Sequence, residues 1–362
     1  MPDAHAPGGL ISGPDGAFYG ISGAGGIHND GAVFRLQPPS STSAAWTETV
    51  LYSFTSLSGG ISAPVFGPDG ALYGTTAGTV FQLQPPAAPG GPWTPTLLYS
   101  FPSPAAYPSL RLGSDGTLYG TALGGAYGQG MIFALSPPRS PGAAWTEYAI
   151  YNFTGTVDGA VPESLVAGPK GTLYGTNVFG GAFNNGVFFE LSPPDRPGLA
   201  WTEATLWNFS TGISNFNAGA SVSLYSDGVI YGTAATSTGY AVLELQPAAA
   251  GTWTETVLYT FPDNGTVLSS PLILRNGNLF GTTATITAYG GQGPGGDLFE
   301  LQKPQGSGEP WNEVILHHFE ERDSPNGSIV FDSNGAIYGT TDSSNAAPYQ
   351  GYAYQVTLPP AK

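Results

Sequence analysis

The chain has 362 residues, no cysteine, 54 glycines, 33 prolines and a formal net charge of −16, with only nine lysines and arginines. The absence of cysteine excludes disulfides, thiol chemistry and cysteine-ligated zinc. The charge excludes nucleic acid, whose phosphates need a basic stripe. No apolar run reaches the ~18 residues that would span a bilayer.

Taken in chain order, Met1 to Gly9 align with a connecting loop, and the first repeat starts directly on a strand. From there an aromatic–glycine pair recurs seven times, as Tyr19-Gly20, Tyr73-Gly74, Tyr119-Gly120, Tyr174-Gly175, Tyr231-Gly232, Phe280-Gly281 and Tyr338-Gly339. The spacing of about fifty residues is that of a four-stranded propeller blade. Within each repeat the first strand is a short apolar run, such as Ser109-Leu110-Arg111-Leu112, closed by a turn of the Gly13 to Gly16 or Gly67 to Gly70 kind. The second strand carries the Leu-Tyr-Gly-Thr element, and a glycine-rich loop of variable length follows. The third strand, as in Val80-Phe81-Gln82-Leu83, stops at a proline pair, since proline cannot donate to a ladder. The fourth starts at Trp46, Trp93, Trp145, Trp201, Trp253 or Trp311. No segment keeps a helical period.

These units predict an all-β fold: one seven-bladed β-propeller domain over residues 1–362, built of four-stranded antiparallel blades. The seventh repeat ends at Pro359-Pro360 without a Trp strand, so one blade is expected to lack its outer strand. The pattern from Leu173 to Leu191 (LYGTNVFGGAFNNGVFFEL) resembles the GloVer-type tandem repeat of secreted or surface-anchored bacterial proteins. That resemblance covers nearly the whole chain and implies export and a repeat fold, without catalytic residues. The N-terminus has no basic or apolar leader features, so the reading is an extracellular or periplasmic protein lacking its signal peptide.

Most of the acidic residues sit at repeat positions and read as turn formers and strand faces. The tryptophans read as packing between blades. Ten other acids, Asp3, Asp30, Asp158, Glu163, Asp263, Asp297, Glu320, Glu321, Asp323 and Asp342, are expected in the loops between second and third strands or between blades. Alternating strand direction puts those loops at one end of each sheet, with Arg322 the one basic residue among them. Binding residues concentrate on loops held by a rigid scaffold, so this end is the candidate site. Its candidate ligand-binding residues are His28, Asp30, Tyr127, Phe183, Asn185, Tyr289 and Arg322. Tyr127 and Phe183 occupy the loop position that His28 takes in the first repeat, and such aromatics could stack on sugar rings.

His28 beside Asp30, in the same repeat as His5 and Asp3, could serve as an acid–base or cation site. No cofactor is indicated, and a divalent cation is the one ion the residues suggest. His317 takes a repeat tyrosine position and reads as packing. Arg111 stands where the other repeats carry Ile11, Val65, Val166, Ser223, Leu272 and Val330. It fits an anionic ligand or an ion pair across blades equally well. No G-x-S-x-G, HExxH, P-loop or EF-hand motif occurs. Three functions follow: a monomeric module binding a glycan or cell-surface partner, a lyase or hydrolase with one site over the channel, or a purely structural repeat.

Overall fold

The computed structural model describes residues 4–39, 45–55, 63–76, 78–88, 90–102, 106–140, 142–196, 199–209, 222–224, 228–236, 239–248, 252–262, 266–286, 292–306, 308–320, 323–342 and 351–358. Seven antiparallel sheets form a β-propeller. The first four blades are β1 (Ala4–Ser12), β2 (Phe18–Gly25), β3 (Ala32–Gln37) and β4 (Thr47–Ser53); β5 (Val65–Phe66), β6 (Leu72–Thr76), β7 (Thr79–Gln84) and β8 (Thr94–Ser100); β9 (Ala106–Leu112), β10 (Leu118–Ala122), β11 (Met131–Ser136) and β12 (Thr146–Asn152); β13 (Ala160–Ala167), β14 (Leu173–Phe179), β15 (Val187–Ser192) and β16 (Thr202–Asn208). The fifth is β17 (Val222–Leu224), β18 (Ile230–Thr236), β19 (Gly239–Pro247) and β20 (Trp253–Pro262). The sixth holds β21 (Thr266–Leu268), β22 (Ile273–Arg275), β23 (Asn278–Ile286), β24 (Gln292–Gln302) and β25 (Asn312–Phe319), and the seventh β26 (Ser324–Phe331), β27 (Ile337–Asp342) and β28 (Ala353–Val356). The chain clusters into two compact units, Met1–Pro108 with Gln292–Leu298 and Leu316–Lys362, and Ser109–Gly291 with Phe299–Ile315.

The aromatic–glycine pair has a steric cause. Gly74 pairs with Phe81 and Gly175 with Phe189 across neighbouring strands. The phenyl ring lies over the glycine, so a Cβ on Gly74 would sit 2.6 Å from Phe81 Cζ and one on Gly175 2.5 Å from Phe189 Cζ. These rings are buried, Phe81 at 7% and Phe189 at 0% exposure, as is Phe133 over Gly120 at 1%.

The fourth strand carries a feature that its pattern alone does not announce. Its pairing with the third slips between Val33 and Phe34, and likewise at Val80/Phe81, Ile132/Phe133, Phe188/Phe189 and Val242/Leu243. The extra residue in each is Leu51, Leu98, Ile150, Leu206 or Leu258, which breaks the alternation just before the repeat Tyr or Trp. This β-bulge lets two consecutive large residues both serve the core, and Leu98 and Ile150 are buried. Beyond it the strand-end phenylalanine packs on the next blade, with ring centroids 5.3 Å apart for Phe54–Phe81, 5.0 Å for Phe153–Phe189 and 4.8 Å for Phe319–Tyr354.

The tryptophans join neighbouring blades, as expected. Trp93 meets Tyr19, Trp201 meets Tyr119 and Trp253 meets Tyr174, each at the second strand of the preceding blade. Trp46 meets Tyr338 in the same way, which joins the first blade to the seventh. Ser328 Oγ also donates to Leu10 O (3.1 Å), and Thr340 Oγ1 to Gly8 O (2.9 Å).

The repeat aspartates are turn formers. Asp15, Asp69, Asp115 and Asp332 each accept a backbone N–H two or four residues on. Asp15 also accepts from Arg35 Nε (2.9 Å) and Tyr19 OH (3.0 Å). Burial alone would raise its pKa, but the bonds from Arg35, the Ala17 amide and Tyr19 outweigh burial and lower it. A lowered folded pKa stabilises above the unfolded value and is lost as pH falls through the folded one. The melting-temperature gap between the wild type and Asp15→Asn is therefore expected to persist at neutral pH and close below about pH 4. A gap unchanged in acid would exclude this ion pair as its source.

Three expectations are corrected. Ala4 to Gly9 are strand, not loop, because β1 pairs with β2 from Ala4 opposite Gly25. The inner strand of the sixth blade is split into β21 and β22, since Pro271 has no N–H to give; Ser269 N and Ser270 Oγ bond Thr282 across the break instead. Glu163, Asp297 and Asp342 belong to strands β13, β24 and β27, which run further than their apolar pattern. Among the described residues the seventh sheet has three strands, as expected.

Candidate functional site

The loop between second and third strands follows one frame in three blades: Gly25 to Gly31, Gly124 to Gly130 and Gly180 to Gly186. Each closes on itself, Gly31 N donating to Gly25 O, Gly130 N to Gly124 O and Gly186 N to Gly180 O at 2.9–3.1 Å. Each is then tied to the outer strand. Ser53 Oγ accepts from Ile27 N (3.1 Å), Asn152 Oδ1 from Ala126 N (2.7 Å) and Asn208 Oδ1 from Ala182 N (2.7 Å). The fifth loop residue is left-handed, with φ of 58° at Asn29, 70° at Gly128 and 57° at Asn184. Asparagine and glycine tolerate that conformation best. The loop backbone is thus tied at its ends and to the outer strand, while the fourth residue, His28, Tyr127 or Phe183, is left exposed. All three are exposed, Tyr127 at 62% and Phe183 at 58%.

In the third and fourth blades these loops share one surface. The turn from Thr154 to Gly159 lies between them. Val161 N donates to Gln129 O (2.8 Å) on the Tyr127 loop, and Gly181 N donates to Thr156 O (2.7 Å) on the Phe183 side. Val157 projects from this turn at 72% exposure. The turn is held by Asp158, only 4% exposed. Its carboxyl accepts from Tyr151 OH (3.1 Å), Thr154 N (2.8 Å) and Thr154 Oγ1 (2.5 Å). Burial, followed by the Asp158 and Glu203 charges, pushes the Tyr151 hydroxyl up, so it stays a donor. Glu203 is also raised, first by burial and then by Asp158, against a bond from Thr205.

Of the sequence candidates, Tyr127 and Phe183 are thus brought onto one connected platform, with Asn185 partly exposed in the Phe183 loop. His28 is exposed and Asp30 partly so, on the equivalent loop of the first blade. His5 lies on β1 opposite Ala24, and its side chain falls outside the described residues, as do Tyr289 and Arg322 altogether. Among the described residues no group of three or more histidines and carboxylates could hold a metal. His317 makes an edge contact with Phe319 while His318 bonds Asp297 (2.5 Å). The acids expected to crowd the loop end are fewer in loops than the pattern suggested, and Asp158 is structural. Its role was hidden because Asp158 reads as one more loop acid; only Tyr151 and Thr154 around it show otherwise.

Arg111 is not part of this platform. It lies beside the Gly113 to Gly116 turn, at the opposite end of its blade from Tyr127. Its Nη1 donates to Leu110 O (2.9 Å), and among the described residues it makes no ion pair.

The fold recurs in proteins of different activity. A polysaccharide lyase, an ulvan lyase bound to a GlcA(1-4)Rha3S saccharide, superposes with a TM-score of 0.61 at 11% identity, covering 98% of this chain and 96% of that one. A puromycin hydrolase variant gives 0.62 at 14% identity, covering 97% and 52%. The extracellular domain of a one component system from B. thetaiotaomicron gives 0.57 at 11% identity, covering 94% of this chain; the chain spans only 40% of that protein's length. At such identities the likeness is one of fold. No curated protein matches the sequence. The repeat signature itself is matched directly, over residues 63–285, so the chain belongs to the Gloeobacter/Verrucomicrobia repeat family.

Proposed function

We propose that the protein is an exported binding module that takes a glycan on the aromatic loop platform of its third and fourth blades. The observation that carries this reading is the pair Tyr127 and Phe183, large rings kept in water by loops whose backbone is tied within itself, to the outer strand and to the turn between them. Exposed aromatics on a rigid frame supply contact area at little ordering cost. The threonines of the intervening turn, with Gln129 and Asn185, offer hydroxyl and amide partners for sugar hydroxyls. A fold shared with a saccharide-bound lyase and with the extracellular domain of a one component system accords with this reading.

A glycan array followed by calorimetry tests it. The double variant Tyr127→Ala/Phe183→Ala is expected to weaken binding at least about tenfold, or ~1.4 kcal/mol. Its melting temperature should barely move, because exposed loop side chains contribute within about 0.5 kcal/mol. Unchanged affinity in that variant, or no glycan bound by the wild type, would refute the reading.

A further inference from the structure

Arg111 is an anomaly in an acidic protein. At its position on the inner strand the other six repeats carry an aliphatic residue or Ser223. Neighbouring Leu110 is 1% exposed, and Val166, the equivalent residue of the next blade, packs in an apolar cluster with Phe188 and Ile230. A guanidinium stays charged in proteins and carries five N–H donors. Among the described residues one of the five has an acceptor, Leu110 O. Burial depresses the Arg111 pKa, and among the described residues no charged group acts on it. Leaving a desolvated charge without a counter-charge is strongly unfavourable, and a hydrophobic residue at this position would remove the cost. The side chain nevertheless keeps partial access to solvent. An approachable, desolvated guanidinium with unused donors is the arrangement that recognises carboxylate, sulfate or phosphate oxygens in two-point fashion.

We propose that Arg111 is an oxyanion-binding residue, holding a carboxylate, sulfate or phosphate group that enters beside the Gly113 to Gly116 turn. The site lies at the other end of the sheet from the aromatic platform, so it stands or falls separately from glycan binding there. The high negative charge of the rest of the chain repels anions in general. Oxyanion retention by this protein should therefore depend on this one side chain.

The test uses the intact protein with its arginines labelled by nitrogen-15. Sodium sulfate, phosphate and acetate are titrated separately against sodium chloride at matched ionic strength. The Nε–H resonance missing from Arg111→Lys is expected to shift saturably with at least one oxyanion and not with chloride. The same anion should raise the wild-type melting temperature, as a ligand of the folded state must, and leave Arg111→Met unmoved. Arg111→Lys, a point charge without the planar fork, should bind about tenfold more weakly. If the resonance follows the chloride control with all three anions, the proposal fails. It fails equally if the wild type and Arg111→Met gain the same stability from each anion. Should Arg111→Met not fold, the wild-type titration alone decides between the two outcomes.

Discussion

Replacing Phe189 by alanine is expected to lower stability by about 3–5 kcal/mol, the range for deleting a fully buried phenyl ring. Phe189 is one of the largest side chains with no exposed surface, and it serves three neighbours at once. It covers Gly175 within its own blade, receives Phe153 from the preceding one, and belongs to the cluster with Ile132, Leu165 and Leu191. The loss should show as a lower urea midpoint with an unchanged slope, the mark of a stability change without a change of fold. The reciprocal substitution, Gly175→Ala, should cost less, about 1–3 kcal/mol. There the intruding methyl would meet both Phe189 Cζ and Ser164 O at 2.5 Å, and the backbone oxygen cannot turn aside. If Phe189→Ala cost under about 1 kcal/mol, the reading of the aromatic–glycine pair as the blade's central contact would be wrong.

Asp158→Ala is expected to cost roughly 3 kcal/mol, because it removes an acceptor from three donors in a site with little water. The Tyr151 hydroxyl and the Thr154 amide would lose their acceptor together, and the Thr154 hydroxyl would keep Thr156 Oγ1 alone. Asp158→Asn keeps one carbonyl oxygen and should lose about half as much. The readout that separates this role from a general loss of stability is local. Amide hydrogen exchange at Thr154 and Gly181 should accelerate in Asp158→Ala more than exchange in the β-strands of the first two blades. Uniform acceleration throughout the chain would mean that Asp158 holds the whole fold rather than this turn.

The legible part of this protein was whatever recurs. The aromatic–glycine pairs, the valine–phenylalanine strands and the tryptophans each predicted a blade, because a recurring contact leaves the same residue types every time. What sequence missed is single-copy or set by a partner strand. Ala4 to Gly9 carry no apolar alternation, and their strand form is imposed by pairing with β2. The bulge at Leu51 and its equivalents recurs, yet an adjacent Leu-Tyr pair does not say which residue is the extra one. Asp158 resembles any loop acid in composition, and only folding surrounds it with three donors. The site was half legible: Tyr127 and Phe183 stood out by aligning with His28, whereas the turn that joins their loops came only with the structure.

The Gly-Gly frame of these loops separates two demands that usually compete. The bonds that fold the loop fall on its glycines, on one left-handed residue, on an outer-strand Ser or Asn and, in the third and fourth blades, on backbone groups of Val161 and Thr156. The fourth residue of each loop, His28, Tyr127 or Phe183, carries no part of that scaffold. Mutation at that point can therefore explore new chemistry without passing through unfolded intermediates. A lineage of such proteins could diversify what it recognises one loop tip at a time, each step nearly neutral to folding.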